Sequence, residues 1–554
     1  MKNILMDDYY DLGPYGRAIT TSEPDAQTWF DRGLNWCFGY NHDEAVVCFR
    51  RALKLDPNCA MAWWGVAYAS GCNYNKPWEA FDAADAVQSV QTAYDATQKA
   101  ISCTESISDF EAGLISALPQ RYLDRTPAKD MTPWNDRYAD AMRQVYLNFS
   151  DDPDVATLFA EALMNRTPWA LWDLASGKPA DGANTVEIME TLEAALARPG
   201  GMAHPGLLHM YIHTMEMSPH PERALKAADA LRGLVPDAGH LQHMPSHIDV
   251  LCGHYERVVS SNEAAIRADN KFLKRNGPIN FYSLYRCHDF HFKIYGAMFL
   301  GQYQPAIQAV DEMIAGLPIK LLMVDSPPMA DWLEGFISVK QHVYIRFGKW
   351  QEIIDQPMPQ QHKLYCVTSA MIHYSKAVAY AATGDVLRAE KHVVSFDNAL
   401  LNVPDSRYIF NNTCLDILAV AREMMLGEVA YRRGEYDAAF AHLRKSVELD
   451  DALPYDEPWG WMQPTRHALG ALLLEQGQVE NAAAVYKADL GLDDTLSRAS
   501  QHPDNIWSLL GYHECLTQLG RSEEARIIGQ RLALAQARTD TAVKSSCYCK
   551  MGST

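Results

Sequence analysis

The sequence predicts an all-α protein made of successive helical hairpins, and three observations predict it. Apolar residues recur at helical spacing along nearly the whole chain, while strand-like alternation is scarce. Short turns rich in Gly, Pro, Asn and Asp separate the helical stretches. A fixed period relates many of those stretches to one another, which marks a repeat architecture rather than a sum of unrelated domains.

The clearest unit is residues 26–59, AQTWFDRGLNWCFGYNHDEAVVCFRRALKLDPNC. Counting Ala26 as position 1, Trp29 stands at 4, Gly33 at 8, Ala45 at 20, Phe49 at 24, Ala52 at 27 and Pro57 at 32. Small residues at 8 and 20 let the two helices of a hairpin approach closely, and position 32 ends the second helix. In these residues the unit resembles the tetratricopeptide repeat, a helix-turn-helix of 34 residues. The same ruler fits units starting near 205, 239, 287, 370, 420, 463 and 506. Gly253 and Tyr255, Gly301 and Tyr303, and Gly434 and Tyr436 fall at positions 15 and 17; Gly384 with Ala389 and Gly477 with Ala482 fall at 15 and 20. The resemblance implies a right-handed superhelical solenoid of such hairpins, with irregular helical insertions.

Organisation follows from where the ruler holds. We expect an N-terminal extension at 1–25, hairpins at 26–93, degenerate helical repeats with loop insertions at 94–204, histidine-rich hairpins at 205–320, further hairpins at 321–540 and a flexible tail at 541–554. The degenerate stretch carries TPAKDMTPWND and TPWALWDLASGKPADGAN, and a second insertion, GLPIKLLMVDSPPMADWLEG, spans 316–335. Loops of this length on a solenoid are candidate lids.

Composition narrows the partners. The 554 residues carry 49 basic and 69 acidic side chains, a net charge of −20, which repels a phosphate backbone and argues against nucleic acid. No stretch of about 18 apolar residues predicts a membrane span, and MKNILMDDYYDLGPYG lacks a secretory apolar region, so the expected compartment is cytoplasmic. The twelve cysteines have no paired spacing and read as buried thiols. Cys547 and Cys549 form a C-x-C that can hold a soft metal, although a disordered tail is the simpler reading.

Histidines carry the functional signal. Ten of the nineteen lie between residues 204 and 291, in less than a fifth of the chain. His209 and His213 occupy positions 5 and 9 of their unit, His243 and His247 the same positions of the next, and His291 position 5 of the unit starting at 287. His240 and His288 share position 2, Glu216 takes 12, and Tyr295 takes 9. Steps of three and four residues return to one helical face. The resemblance implies that this face of the first helix lines the concave groove, where imidazoles of adjacent units converge on a metal at about 2.0–2.1 Å per bond.

Pro245 interrupts this pattern, because it cannot sit in a helix interior without losing a hydrogen bond. Either a helix starts there or it kinks. The segments HPGLLHMYIHTMEMSPHPERA, GHLQHMPSHI, YRCHDFHF and LPYDEPWGWMQPTRHALGALL further resemble a histidine-rich microbial subgroup of the tetratricopeptide superfamily, which implies fold and motif boundaries rather than a reaction.

Neutral imidazoles with one carboxylate suit iron or copper first, then zinc or manganese, and the absence of clustered acids disfavours calcium and magnesium. The expected activity is that of an oxygen-activating oxidoreductase on a small organic substrate. Its metal ligands are drawn from His209, His213, His240, His243, His247, His288 and His291, with Glu216, Glu161 and Tyr295 as catalytic candidates. Asn165, Trp459, Arg466 and His467 are candidate groove residues. Two alternatives stay open: a zinc hydrolase using the same histidines, and a scaffold that binds a peptide in the groove without catalysis.

Overall fold

The computed structural model describes residues 9–550. Among them, the only paired strands are two hairpins of two residues per strand, β1 (Trp172–Asp173) with β2 (Lys178–Pro179) and β3 (Tyr408–Ile409) with β4 (Asn412–Thr413). The rest of the regular structure is helix. Two compact units emerge, one formed by 9–248 with 264–275 and the other by 249–263 with 276–550. The histidine-rich segment 205–320, expected as one block, is thus divided between them.

The first unit contains α1 (Pro24–Phe38), α2 (His42–Leu55), α3 (Ala60–Ala69), α4 (Ala83–Ser102), α5 (Asp109–Arg121), α6 (Thr132–Asn148), α7 (Pro153–Met164), α8 (Thr185–Leu196), α9 (Pro205–Glu216), α10 (Leu225–Leu231) and α11 (Gly239–His243). Both units own residues of α12 (Pro245–Leu251) and α13 (Tyr255–Asn276).

The second unit continues with α14 (Ser283–Phe299), α15 (Tyr303–Ala315), α16 (Ile319–Leu322), α17 (Met329–Ile337), α18 (Val339–Arg346), α19 (Trp350–Asp355), α20 (Cys366–Ala382) and α21 (Val386–Leu400). It ends with α22 (Cys414–Arg432), α23 (Tyr436–Asp451), α24 (Thr465–Glu475), α25 (Val479–Asp489), α26 (Ile506–Gln518) and α27 (Ser522–Gln536). Sequential helices pair as hairpins, α1 with α2, α20 with α21, α22 with α23, α24 with α25 and α26 with α27. Each unit is therefore a stack of helical hairpins, the all-α solenoid architecture.

The repeat positions explain the packing. At Gly33, position 8, an added Cβ would sit 2.5 Å from the Phe49 ring, so only glycine lets α1 rest on α2. The α2 helix starts where the Asn41 side chain accepts the Glu44 backbone N–H at 3.3 Å, and Asp43 and Glu44 sit in its first turn, where the helix dipole favours them. Gly253, Gly301, Gly384, Gly434, Gly477 and Gly520 hold position 15 with φ between 69° and 88°, the left-handed turn that joins the two helices of each hairpin.

Three expectations are settled or corrected here. Pro245 starts a helix: α11 ends at His243 and α12 begins at Pro245, where the missing N–H has no intrahelical acceptor to lose. The tail is not loose as far as residue 550, because Ser545, Ser546, Cys547 and Cys549 are buried. Ser546 anchors it, its hydroxyl 2.6 Å from the Tyr486 hydroxyl and donating to the His467 carbonyl at 2.8 Å. Cys547 and Cys549 are joined in a disulfide, whereas the other ten cysteines are free thiols. Residues 551–554 of the expected tail, and 1–8 of the N-terminal extension, lie outside the described residues.

Candidate metal centre

The α9 helix is set by its first turn. His204 caps it by accepting the Leu207 backbone N–H at Nδ1, 3.0 Å away, and Pro205 occupies the first helical position. From there His209 and His213 fall one turn apart on the same face, with ring centroids 4.7 Å apart. His240 and His243 come from α11 and His247 from α12. All five imidazoles and Glu216 are at most 1% exposed.

Within the first unit these side chains form one continuous cluster. One nitrogen each of His209, His213 and His240 lie within 4.8 Å of one another, as do ligand atoms of His213, Glu216 and His247. The rings of His213 and His247, thirty-four residues apart, have centroids at 5.6 Å. His240 meets His209 at 4.9 Å and His243 at 5.7 Å.

Hydrogen bonds decide which nitrogen each ring offers. His209 Nδ1 lies 2.6 Å from the Phe38 carbonyl oxygen, which can only accept, so the proton is on Nδ1 and the lone pair on Nε2. The carboxylate of Glu216 accepts from His213 Nδ1 at 2.8 Å through one oxygen and from His247 Nδ1 at 2.7 Å through the other. His213 Nε2 is buried with no hydrogen-bond partner among the described residues. His209 and His240 bring their Nε2 atoms to 3.2 Å, and His243 and His247 to 2.6 Å. Two imidazole nitrogens that close need a shared proton or a shared cation.

Electrostatics keep His209 and His213 neutral. Burial lowers His209 to about 3, and it holds His213 well below its usual range, with the neighbouring imidazoles His209, His247 and His243 adding to the effect. Neutral, desolvated imidazoles with inward lone pairs are what a transition metal requires. Nitrogens bound at about 2.0–2.1 Å to one ion lie about 3 Å from each other, the spacing seen in the two Nε2 pairs. The residues present fit a metal.

Glu216, a catalytic candidate from the sequence, accepts the Nδ1 protons of His213 and His247 through its two oxygens, as a carboxylate does in a carboxylate–histidine–metal arrangement. Glu161, at the end of α7, is 4% exposed and hydrogen-bonded to the Tyr68 hydroxyl. Burial pushes its carboxyl up to about 8, partly offset by the Tyr74 backbone and the Tyr40 side chain. Asn165 caps the same helix, its carbonyl accepting from Asn135 at 2.9 Å.

The remaining expected residues belong to the second unit. His291 packs on Phe336 at 5.2 Å with both ring nitrogens unpartnered among the described residues, and burial lowers it to about 3. His288 packs on Phe410 at 4.7 Å. His467 is not free to line a groove: its Nδ1 accepts from Arg346 at 2.7 Å and its Nε2 donates to Asp489 at 2.9 Å. Arg466 is held by Asp451. Trp459 donates to the Asp450 carbonyl at 3.1 Å. The Tyr295 hydroxyl lies 3.1 Å from His502 Nε2, whose other nitrogen lies 2.8 Å from Asp489.

Three aromatic residues escaped the sequence reading. Tyr40, Trp169 and Phe410 are non-glycine residues with φ of 53°, 57° and 47°. Tyr40 and Trp169 pack on His213, with ring centroids 6.1 and 5.7 Å away, and Phe410 packs on His288. The left-handed conformation costs each about 1–3 kcal/mol and concentrates at functional sites. Tyr40 left a signal: it stands at position 15, which six other units give to glycine.

A tetratricopeptide repeat family model matches residues 41–59, which hold α2 and the turn that follows it. Among solved structures, the chain is similar to one in a Naa15/Naa10 complex bound to HypK-THB, at 13% identity over 92% of this chain and 70% of that one, with a TM-score of 0.22. It is also similar to a human IFIT1 dimer with m7Gppp-AAAA, at 11% identity over 94% and 92% with a TM-score of 0.31. A third is the APC/C hetero-tetramer Cut9–Hcn1, at 15% identity over 86% and 74% with a TM-score of 0.27. No curated protein matches the chain. No helix among the described residues is long and apolar enough to cross a membrane.

Proposed function

We propose that the protein is a metal-dependent enzyme, an oxidoreductase that activates oxygen on a small organic substrate. One observation carries this reading: three buried histidines, 209, 213 and 247, have their Nδ1 positions anchored to Phe38 and Glu216, and the Nε2 atoms of His209 and His247 meet those of His240 and His243. Because Glu216 orients rather than ligates, the donor set is imidazole alone, which favours copper over an iron site of two histidines and a carboxylate. Such an ion supplies reversible one-electron chemistry and a place for dioxygen.

The protein's own groups do the rest. Phe38 and Glu216 hold ring orientation; Tyr40, Tyr74 and Trp169 wall His213 and keep water away. Glu161, protonated at neutral pH, is a proton source beside Tyr40. The same raised carboxyl supports a second reading, a zinc hydrolase in which Glu161 is the acid or base. Full burial of the histidines disfavours direct contact with a bound peptide.

Metal analysis of untagged protein tests the proposal. At least one transition metal per chain is expected, lost on His209→Ala, His213→Ala, His243→Ala or His247→Ala while the helical spectrum persists. Copper or iron with oxygen-dependent turnover supports the oxidoreductase; zinc with turnover unchanged under anaerobic conditions selects the hydrolase. Metal-free protein of full stability overturns both.

A further inference from the structure

A second group of imidazoles stands in the second unit, between α20 and α21. His373 on α20 and His392 on α21 face each other with their Nδ1 atoms 3.0 Å apart. His373 lines a cleft with Cys366 and Ser369 of α20, Ser395 and Asn398 of α21, and His362 and Asn402 beside these helices. Cys366, Ser369 and His373 share one face of α20, and His392, Ser395 and Ala399 share one face of α21. The Tyr380 ring stacks on His392, centroids 5.5 Å apart and planes 15° apart, which holds that imidazole in place.

We propose that His373 and His392 form a solvent-accessible site for a borderline transition-metal ion, Cu²⁺ or Zn²⁺, with water completing the shell. Two nitrogens 3.0 Å apart on different helices can both bind one ion at about 2.0–2.1 Å without moving the backbone. The set is imidazole in character, since burial and Glu334 raise the Cys366 thiol and keep it protonated. That donor chemistry disfavours Ca²⁺ and Mg²⁺, which require oxygen.

The site differs in kind from the cluster around His213. Its histidines are half-buried and beside a cleft, so the ion exchanges with solvent. It also ties α20 to α21, and an ion bound only by the folded hairpin stabilises it by mass action. The site is a metal clip on one hairpin rather than a reaction centre.

Titration of the purified protein with Cu²⁺, and separately with Zn²⁺, tests this by calorimetry and by the unfolding temperature. One more equivalent is expected in the wild type than in the His373→Ala/His392→Ala double variant, with a metal-dependent rise in unfolding temperature that the double variant lacks. Each single variant, His373→Ala or His392→Asn, weakens that equivalent at least tenfold. In His209→Ala/His213→Ala protein the equivalent persists, which separates this site from the buried cluster. For Cu²⁺, nitrogen hyperfine structure in the electron paramagnetic resonance spectrum identifies imidazole ligands, and the double variant lacks it. Equal stoichiometry and affinity in the wild type and in either single variant would overturn the proposal.

Discussion

Glu216 shows how one side chain governs several others. Its two oxygens take the Nδ1 protons of His213 and His247, so replacing it with glutamine leaves one acceptor and puts an amide N–H against the other ring. Glu216→Gln is expected to lower metal affinity about 10- to 100-fold with helix content unchanged, as read by metal titration and circular dichroism. Tyr40 permits a sharper test. Its side chain holds the Glu161 carboxyl below the value burial alone would set, so Tyr40→Phe is expected to raise it further. The carbonyl stretch of the protonated acid, followed against pH by infrared difference spectroscopy, checks this; a downward shift would contradict the assignment.

At the scale of the helices, the repeat positions were legible and their exceptions were not. Gly33 could be read as a site of close approach from position 8 alone, and the Phe49 ring 2.5 Å from its would-be Cβ gives the reason. Gly33→Ala must push α1 off α2, and about 1–3 kcal/mol of destabilisation is expected from overpacking, measured by urea unfolding. Pro245 was legible only as a break. Whether the break would separate His243 from His247 depended on the turn between α11 and α12, which keeps their Nε2 atoms at 2.6 Å. Position 15 shows the limit from the other side, since Tyr40 departs from glycine there for a reason visible only in the rings it touches.

Across the whole molecule, buried ionisable groups set the response to pH. Burial lowers His42, His291 and His342 from 6.5 to about 3. The unfolded chain takes up these protons first, so their contribution is fully present above about pH 6.5 and lost as the pH falls towards 3. Glu161 and Asp450 have the opposite sign: burial raises them to about 8 and about 7, so their contribution is lost as the pH rises through those values. The unfolding temperature of metal-free protein is therefore expected to fall on both sides of a near-neutral maximum, and His342→Phe should flatten the acid side. A temperature that rises steadily down to pH 4 would refute this account of the histidines.

Periodicity alone determined that this chain is mostly helix, that its helices pair into hairpins with a glycine at the turn, and that His209, His213, His243 and His247 fall in the same phase. These are local properties, set by 3.6 residues per turn and by the small side chains that hairpin packing demands. Tertiary structure decided what the phase could not. It set the Glu216 carboxylate against His213 and His247, placed Tyr40 and Trp169 against His213, committed His467 to Asp489, and divided the histidine-rich stretch between two units. Hydrogen-bond partners and burial come from segments far apart in the chain, and no spacing rule carries that information.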